Sequence, residues 1–395
     1  MAEKPKIIDP VENLGLRFIN RVWRVLFGVF GIQLDMLGIE HYSKCWKKII
    51  FAVFIRVLHA VNILHYIVVI VYYKLHYSEH FFGLVSMTYI QVIAFFTAIL
   101  CLKNEKKIAA AYRKIVFNLS SAEDLLKTFD RHTKLYFFVL IATTVAITAN
   151  QIAKEIVNDH YHQICRKAHA QMGIHNNYLS NITALIDYCE IIVFSYWFTD
   201  VIFVYFAHLC KGLALNFVLV NRCLEAELRA TSLTSSKLNV LRHKYEYISG
   251  LVDEISELFS PLILFWISLL VLNLCFDIRA LQLSSATGVF FSYSRYIVQI
   301  FRSTIFLFLI LKVASQINTQ AHLMKRKLFT KVMDESRDRD TSKVTFYTNY
   351  QLFSDSINSF NVGISVSGLF TITVTSCINI VGTILTYTIV LYQTA

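Results

Sequence analysis

The amino-acid sequence predicts an all-α protein that crosses a membrane seven times. Of its 395 residues, 55% are hydrophobic and only 16% are charged, whereas a soluble domain carries about 25% charged residues. A helix needs roughly 20 mostly apolar residues to cross the hydrocarbon core of a bilayer. The segments that meet this requirement are residues 49–73, 81–102, 135–152, 182–207, 258–276, 296–317 and 364–393.

The distribution of basic residues predicts a cytoplasmic N-terminus and an extracellular C-terminus. Of the 38 Lys and Arg residues, 29 lie in the N-terminal region or in the loops after the second, fourth and sixth segments. Six lie in the loops on the other side, and three lie within the segments. Because Lys and Arg are enriched in cytoplasmic loops, the net charge of +11 records this orientation. No nucleic-acid partner is needed to explain it, and none is expected.

The same patterns divide the chain into four regions. Residues 1–48 form a cytoplasmic N-terminal region, where the apolar stretch 22–39 is interrupted by Arg24 and Asp35 and predicts an interfacial or re-entrant helix. Residues 49–317 form a six-helix transmembrane bundle with cytoplasmic extensions. Residues 318–363 form a further cytoplasmic segment, and residues 364–395 form the seventh helix.

Apolar residues of the inner loops recur with helical spacing, which predicts that several spans continue into the cytoplasm. The clearest example is the face formed by Leu238, Leu241, Tyr245, Ile248, Val252, Ile255 and Phe259. Steps of three and four residues place these side chains on one side of a helix. Such helices could join subunits or pack only within one chain, and the sequence leaves both arrangements open.

Motifs for catalysis or for metal and phosphate binding are absent from the sequence. It has no zinc-ligand spacing, no phosphate-binding loop and no H-E-x-x-H pattern. The acidic residues of the fourth segment, Asp187, Glu190 and Asp200, have no carboxylate within another segment with which to form a catalytic pair. We therefore expect neither an enzyme nor a metal or cofactor site.

The outer side carries a glycosylation sequon and three cysteines. Asn181 begins the sequence Asn-Ile-Thr, which agrees with the predicted orientation and makes Asn181 a candidate for glycosylation. Cys165, Cys189 and Cys275 lie near the outer side. A disulfide among these cysteines and a set of free thiols are both compatible with the sequence.

The seventh segment differs from the others because small and polar residues run along one side of it. No Asp, Glu, Lys, Arg or His occurs after Asp355. The stripe consists of Ser365, Gly368, Ile372, Thr375, Asn379, Gly382, Thr386, Ile389, Val390 and Gln393. Amide side chains without partners are costly in hydrocarbon. The stripe therefore either packs closely against other helices or surrounds a water-filled pore with copies of itself.

The end of this segment resembles the signature of a known family. Thr386-Tyr387 is followed by five residues and then by Gln393. This resembles the insect gustatory receptors, whose signature is Thr-Tyr, five mostly hydrophobic residues and Gln-Phe. The length, the seven spans and the cytoplasmic N-terminus also resemble this family of seven-transmembrane chemoreceptors, which are related to the insect odorant receptors. The chain departs from the signature at Thr394, where the family has Phe, and at Thr388 within the hydrophobic run.

The resemblance implies a gustatory receptor that acts as a tastant-gated, non-selective cation channel in the plasma membrane of a sensory neuron dendrite. Four copies, or a mixture with related receptors, would surround a central pore lined by the seventh helix, with the cytoplasmic residues 318–363 in the anchor between subunits. The implied pore and gate residues are Thr375, Asn379, Gly382, Thr386, Ile389, Val390, Gln393 and Thr394. The implied partners are a small-molecule tastant, membrane lipid and permeant cations.

The resemblance also implies a ligand pocket among the outer halves of the second to sixth spans. Candidate residues there are Tyr89, Gln151, Asp187, Glu190, Trp197, Gln299 and Arg302. Aromatic walls with a few polar groups suit a small organic ligand, although such aromatics also occur in the interior of helical bundles. Because buried charges usually pair, we expect Arg302 to contact Asp187 or Glu190. Arg56 and Lys312 are expected to extend toward the cytoplasmic interface.

Two other functions are compatible with seven spans. A metabotropic seven-helix receptor is disfavoured by the predicted orientation and by the scarcity of proline, since Pro261 alone lies within a span. A secondary transporter is disfavoured by the odd number of spans and by the absence of an inverted repeat or a pair of broken helices.

Overall fold

The computed structural model describes residues 14–34, 46–76, 81–158, 166–167, 169–170, 176–229, 234–285, 290–335, 342–359 and 362–393. The α-helices in these ranges are α1 (Leu14–Val29), α2 (Trp46–His76), α3 (Phe81–Lys103), α4 (Glu105–Leu119), α5 (Glu123–Asn158), α6 (Asn177–Glu190), α7 (Phe198–Arg229), α8 (Ser235–Ser285), α9 (Phe290–Glu335), α10 (Ser342–Ser359) and α11 (Val374–Gln393). A π-helical turn, Ile191–Trp197, joins α6 to α7. Strands β1 (Ser365–Val366) and β2 (Phe370–Thr371) precede α11.

These helices confirm the predicted all-α membrane fold. Six helical segments of the described chain are long and apolar enough to cross a membrane, namely Ile49–Val69, Ser86–Lys103, Glu123–Ala153, Tyr178–Arg229, Ser235–Leu281 and Ser294–Met324. The shorter apolar stretch Val374–Val390 in α11 is the seventh. Because α6, the π turn and α7 follow one another without a break, they form a single crossing.

The long helices confirm that spans continue beyond the bilayer. α8 has 51 residues and is therefore about 75 Å long, more than twice the roughly 30 Å of a hydrocarbon core. Every residue of its predicted apolar face, from Leu238 to Phe259, is buried. The Tyr245 ring on this face lies 5.7 Å from the ring of Phe217 on α7 and 5.9 Å from that of Phe353 on α10. The predicted cytoplasmic segment therefore packs against the extension of the bundle.

The N-terminal helix is amphipathic and packs into the bundle. Ile19, Trp23 and Phe27 recur at four-residue steps, which places them on one face of α1, and all three are buried. The Trp23 ring lies 4.8 Å from Phe137 of α5 and 5.0 Å from Tyr205 of α7. The helix predicted within residues 22–39 thus begins earlier, at Leu14, and ends at Val29. Residues 35–45 lie outside the described ranges.

The predicted boundary of the seventh helix at residue 364 is wrong, because α11 begins at Val374. Ser367 and Gly368 adopt positive φ angles of 50° and 72°, which a helix does not allow. They form the turn between β1 and β2, where Ser365 pairs with Thr371. The backbone N–H groups of Ser365 and Ser367 donate to hydroxyls of α8, at 2.9 and 2.6 Å. These contacts hold the hairpin on α8 instead of extending α11.

A reciprocal cap fixes the first residue of α11. The hydroxyl of Thr373 accepts from the backbone N–H of Ser376 at 3.2 Å, and the hydroxyl of Ser376 accepts from the backbone N–H of Thr373 at 2.7 Å. This exchange satisfies two donors that a helix start leaves free, as in a capping box. The stripe members Ser365, Gly368 and Ile372 therefore precede the helix, and the stripe on α11 itself begins at Thr375.

Candidate functional site

Two of the predicted ligand-binding residues make contacts where α6 passes through the π turn into α7. π-helical turns are rare and are frequent at functional sites. Trp197, the last residue of this turn, donates from Nε1 to Oγ1 of Thr148 on α5 at 2.9 Å. The neighbouring Tyr196 hydroxyl accepts a hydrogen bond of 3.2 Å from Nε2 of Gln299 on α9. The π turn is therefore bound to α5 through Trp197 and to α9 through Gln299, and both of these are predicted ligand-site residues.

Arg302 pairs with Asp200, so the predicted contact with Asp187 or Glu190 is wrong. The Nε of Arg302 donates to Oδ1 of Asp200 at 2.9 Å, and Nη2 donates to the same oxygen. Both side chains are buried. The guanidinium carbon of Arg302 also lies 5.0 Å from the centre of the Tyr196 ring. This buried ion pair joins α7 to α9 directly below the π turn.

A second pair of opposite charges, Asp277 of α8 and Arg295 of α9, lies next to Arg302. Both side chains are buried, and the charges of Arg295 and Arg302 act on Asp277. Within the described part of the chain, Oδ2 of Asp277 and Nε of Arg295 make no hydrogen bond. Buried polar atoms normally have partners. These two atoms are therefore available to a polar ligand, and sequence reasoning missed both residues because they lie at the ends of spans.

Asp187 and Glu190 face α2 instead of α9. Oδ2 of Asp187 lies 2.7 Å from Nδ1 of His65. Glu190 accepts a hydrogen bond from Nδ2 of Asn62, and its Oε1 lies 3.4 Å from Nε2 of His59. These contacts bind α6 to α2.

The polar face of α2 was missed although its signal is present in the sequence. Arg56, His59, Asn62 and His65 recur at three-residue steps within an otherwise apolar span, and polar residues within spans are seldom without a role. The expected extension of Arg56 toward the cytoplasmic interface stays a prediction. Its guanidinium is partly buried and donates to the backbone carbonyl of Phe30, just after α1. Lys312, in contrast, is exposed, with Nζ 5.3 Å from the ring of Phe308.

The two remaining candidates lie on other helices. The Tyr89 hydroxyl of α3 forms a hydrogen bond of 2.7 Å with Ser268 Oγ of α8. Gln151 of α5 is buried. On α3, the fully buried Gln91 has an amide without a hydrogen-bond partner among the described residues. The structure thus places the seven candidates on five elements. Asp187 and Glu190 adjoin α2, whereas Trp197, Gln299 and Arg302 lie around the π turn and α9.

The polar stripe of α11 points away from the rest of the chain. α11 contacts α8 and α9 through a half-buried face formed by Ser376, Cys377, Ile380, Ile384 and Thr388. Thr375, Asn379, Gly382, Thr386, Ile389, Val390 and Gln393 are all exposed. At about 100° per residue, the centres of the two faces are about 160° apart. Packing within this one chain therefore does not account for the stripe.

Several further predictions concern single residues. Tyr387 of the resemblance signature is exposed on α11, and Thr394 lies outside the described residues. Asn181 is half-buried on α6, where its Oδ1 accepts a hydrogen bond of 2.7 Å from Nε of Arg166. Cys189 and Cys275 are free thiols, so these two do not form the disulfide that the sequence left open. Cys165 lies outside the described residues.

The fold and its buried polar centre define a multi-pass α-helical membrane protein. The 7tm Chemosensory receptor family model matches residues 16–395. The chain therefore belongs to the 7tm chemosensory receptor family, and the predicted kinship with insect chemoreceptors is confirmed at the level of this family.

Two solved structures share the fold. The insect olfactory receptor OR5 from Machilis hrabei matches with a TM-score of 0.72 and 13% sequence identity, over 98% of this chain and 100% of that chain. The same receptor in complex with eugenol matches with a TM-score of 0.70 and 13% identity, over 96% of this chain and 97% of that chain. No curated protein sequence matches the chain.

Proposed function

We propose that the protein is a gustatory receptor that acts as a tastant-gated, non-selective cation channel in the plasma membrane. Four copies, or a mixture with related receptors, surround a central pore lined by α11. The observation that carries this proposal is the exposed polar stripe of α11, which lies opposite the face that holds α11 on α8 and α9.

The chemistry of the stripe favours a water-filled pore rather than a surface that faces lipid. Asn379 and Gln393 carry amides, and unpaired amides are costly in hydrocarbon. Thr375, Thr386 and the small Gly382 line the same side, so copies of α11 around one axis would present hydroxyls and amides to water. Ile389 and Val390 provide an apolar ring near the outer end, where dewetting closes the pore. Gln393 and Thr394 follow directly beyond this ring and complete the gate.

The polar groups around the π turn support a ligand site in the outer half of the bundle. Trp197 and Gln299 join this turn to α5 and α9, and Arg302 lies close to the Tyr196 ring. Asp187, Glu190, Tyr89 and Gln151 complete the site. An olfactory receptor with this fold has been solved in complex with eugenol, which supports a small organic molecule as the ligand.

The extended cytoplasmic helices support assembly of several subunits, and the position of Asn181 supports glycosylation on the outer side. The packing of Tyr245 against Phe353 makes α8 and α10 one cytoplasmic layer, which is suited to anchoring neighbouring subunits. Asn181 lies at the outer end of α6 and is the proposed site of glycosylation. The hydrogen bond from Arg166 to Oδ1 leaves its Nδ2 as the atom that would carry the glycan.

Currents from this chain expressed alone test the proposal. A panel of sugars, alkaloids and volatile phenols is applied to excised patches or to bilayers with purified protein, where G-protein signalling is absent. A tastant-evoked current carried by both Na⁺ and K⁺ is expected. A response that requires G proteins would favour a metabotropic receptor, and a flux of fixed stoichiometry would favour a transporter.

A further inference from the structure

Four side chains near the outer end of the bundle form a continuous chain of polar contacts, each 3.0 Å or shorter. Nδ1 of His65 on α2 lies 2.7 Å from Oδ2 of Asp187 on α6. Nε2 of His65 lies 3.0 Å from Nε2 of His169, which belongs to the segment between α5 and α6. Nδ1 of His169 lies 2.8 Å from Oγ of Ser180. A contact between two imidazole rings therefore links the outer segment to α2.

The chain is complete when both imidazoles are neutral. The carboxylate of Asp187 accepts, so Nδ1 of His65 carries the proton of that ring. Nε2 of His65 is then bare and accepts from Nε2 of His169. The hydroxyl of Ser180 donates to the bare Nδ1 of His169. Each protonated ring nitrogen thus faces an acceptor, and each unprotonated ring nitrogen faces a donor.

The chain can also take up one proton from water without losing a contact. The proton binds at Nε2 of His65, which becomes an imidazolium paired with Asp187. The proton of His169 moves from Nε2 to Nδ1, where the oxygen of Ser180 accepts it. A second proton would put an N–H on both Nε2 atoms, which are 3.0 Å apart. Two positive rings would then face each other, and the contact would be lost.

The surroundings of His169 resist that second proton. Burial, and then the neighbouring His65, lower the pKa of His169 below its usual value of 6.5. The negative charge of Asp187 acts in the opposite direction and raises the pKa of His169. Among the residues of α2, of α6 and of positions 166–170 whose side chains the structure describes, the other charged or imidazole groups are Arg56, His59, Arg166, Lys167 and Glu190. The side chain of His65 is 23% exposed, and His169 belongs to the outer segment between two spans, the side from which a proton would reach the pair. His169 therefore becomes charged only in acid, below about pH 6.5.

We propose that His65 and His169 form a proton-binding site on the extracellular side of the receptor. The contact between the two histidines holds the outer segment on α2 when the site carries no added proton or one added proton. The contact is lost when extracellular acid adds a second proton. Extracellular acid thus acts on this chemoreceptor at a site separate from that of its proposed organic ligand.

The pH dependence of the stability of the full-length chain in detergent tests this site. The apparent melting temperature of the wild type should fall as the pH is lowered below about 6.5, because folding favours the neutral ring of His169. Loss of the contact between His65 and His169 should account for about 2 °C of this decrease in melting temperature. His169→Asn cannot become charged and should lose this share. His243→Asn, which replaces an exposed histidine on the cytoplasmic part of α8, should keep it.

A second variant keeps the test valid if His169→Asn does not fold. His65→Asn should lose the same share of the pH dependence, and the double variant should lose no more than either single variant, because all three report one contact. The proposal is overturned if both single variants lose as much stability in acid as the wild type and His243→Asn. The measurement needs no ligand and no current, so a negative result would leave the proposed channel function untouched.

Discussion

Arg302 of α9 binds a single oxygen, Oδ1, of Asp200 on α7 through both Nε and Nη2. The two side chains are 2% and 0% exposed. The other carboxylate oxygen, Oδ2, makes no hydrogen bond within the described chain. Because neither charge reaches water, each depends on the other for its solvation. The pair therefore fixes the position of α9 against α7 beside the π turn.

Removal of one partner should destabilise the fold strongly. Asp200→Ala leaves the guanidinium of Arg302 buried and unpaired, which costs about 3–5 kcal/mol. Surface expression and the apparent melting temperature in detergent should both fall. Glu254→Ala is the matched control, because it breaks the exposed ion pair with Lys114, which contributes at most about 1 kcal/mol. Equal effects of the two variants would contradict this role of Asp200.

The pairing of Arg302 shows which part of the site the sequence could not determine. Asp187, Glu190 and Asp200 all lie on one crossing, but Asp200 is about 140° from Asp187 around a regular helix. Which side meets α9 depends on how seven helices pack, and the π turn adds a further rotation between the two positions. By contrast, the buried face from Leu238 to Phe259 follows from side-chain spacing along one helix, and it was predicted completely. The hairpin before α11 was missed because its apolar residues resemble those of a span.

Gly212 allows close approach of three helices, and a side chain there should destabilise them. A Cβ at this position of α7 would lie 2.5 Å from Cγ2 of Ile115 on α4 and 3.3 Å from Cε2 of Phe129 on α5. Gly212→Ala should therefore lower stability by about 1–3 kcal/mol, as overpacked interiors do. Gly250→Ala on α8 is the control, since nothing lies within 4 Å of its Cβ. It should stabilise by up to about 1 kcal/mol through helix propensity. Comparable melting temperatures for the two variants would rule out this close packing.

Glu190→Gln separates a structural role of Glu190 from a ligand-binding role. The variant keeps the size of the side chain and its acceptor for Asn62, but it replaces the carboxyl oxygen that faces His59 with an amide nitrogen. Because this oxygen contributes to the contact between α2 and α6, surface expression should fall several-fold. Normal surface expression with an altered ligand response would instead assign Glu190 to the ligand site. Glu227→Gln, which alters an exposed pair with Lys237, should leave both readouts unchanged.

The stripe of α11 predicts which positions a water-soluble thiol reagent can reach. Thr386→Cys places a thiol on the exposed side of the helix, whereas Ile384→Cys places one on the half-buried side that packs against the bundle. In an open pore, only the first thiol would face water. A cationic methanethiosulfonate reagent applied with ligand should reduce the current of Thr386→Cys by more than half, and it should leave that of Ile384→Cys unchanged.

The same reagent also distinguishes a pore from a contact with lipid or with a neighbouring helix. Leu385 is exposed as well, but it lies on the apolar flank of α11, about 100° from Thr386. If exposure alone determined the reaction, Leu385→Cys would react like Thr386→Cys. If Thr386 faces a water-filled pore, Leu385→Cys should stay unmodified, because methanethiosulfonates react with ionised thiols and thiols in lipid remain protonated. Modification of Leu385→Cys without modification of Thr386→Cys would contradict a pore lined by the stripe.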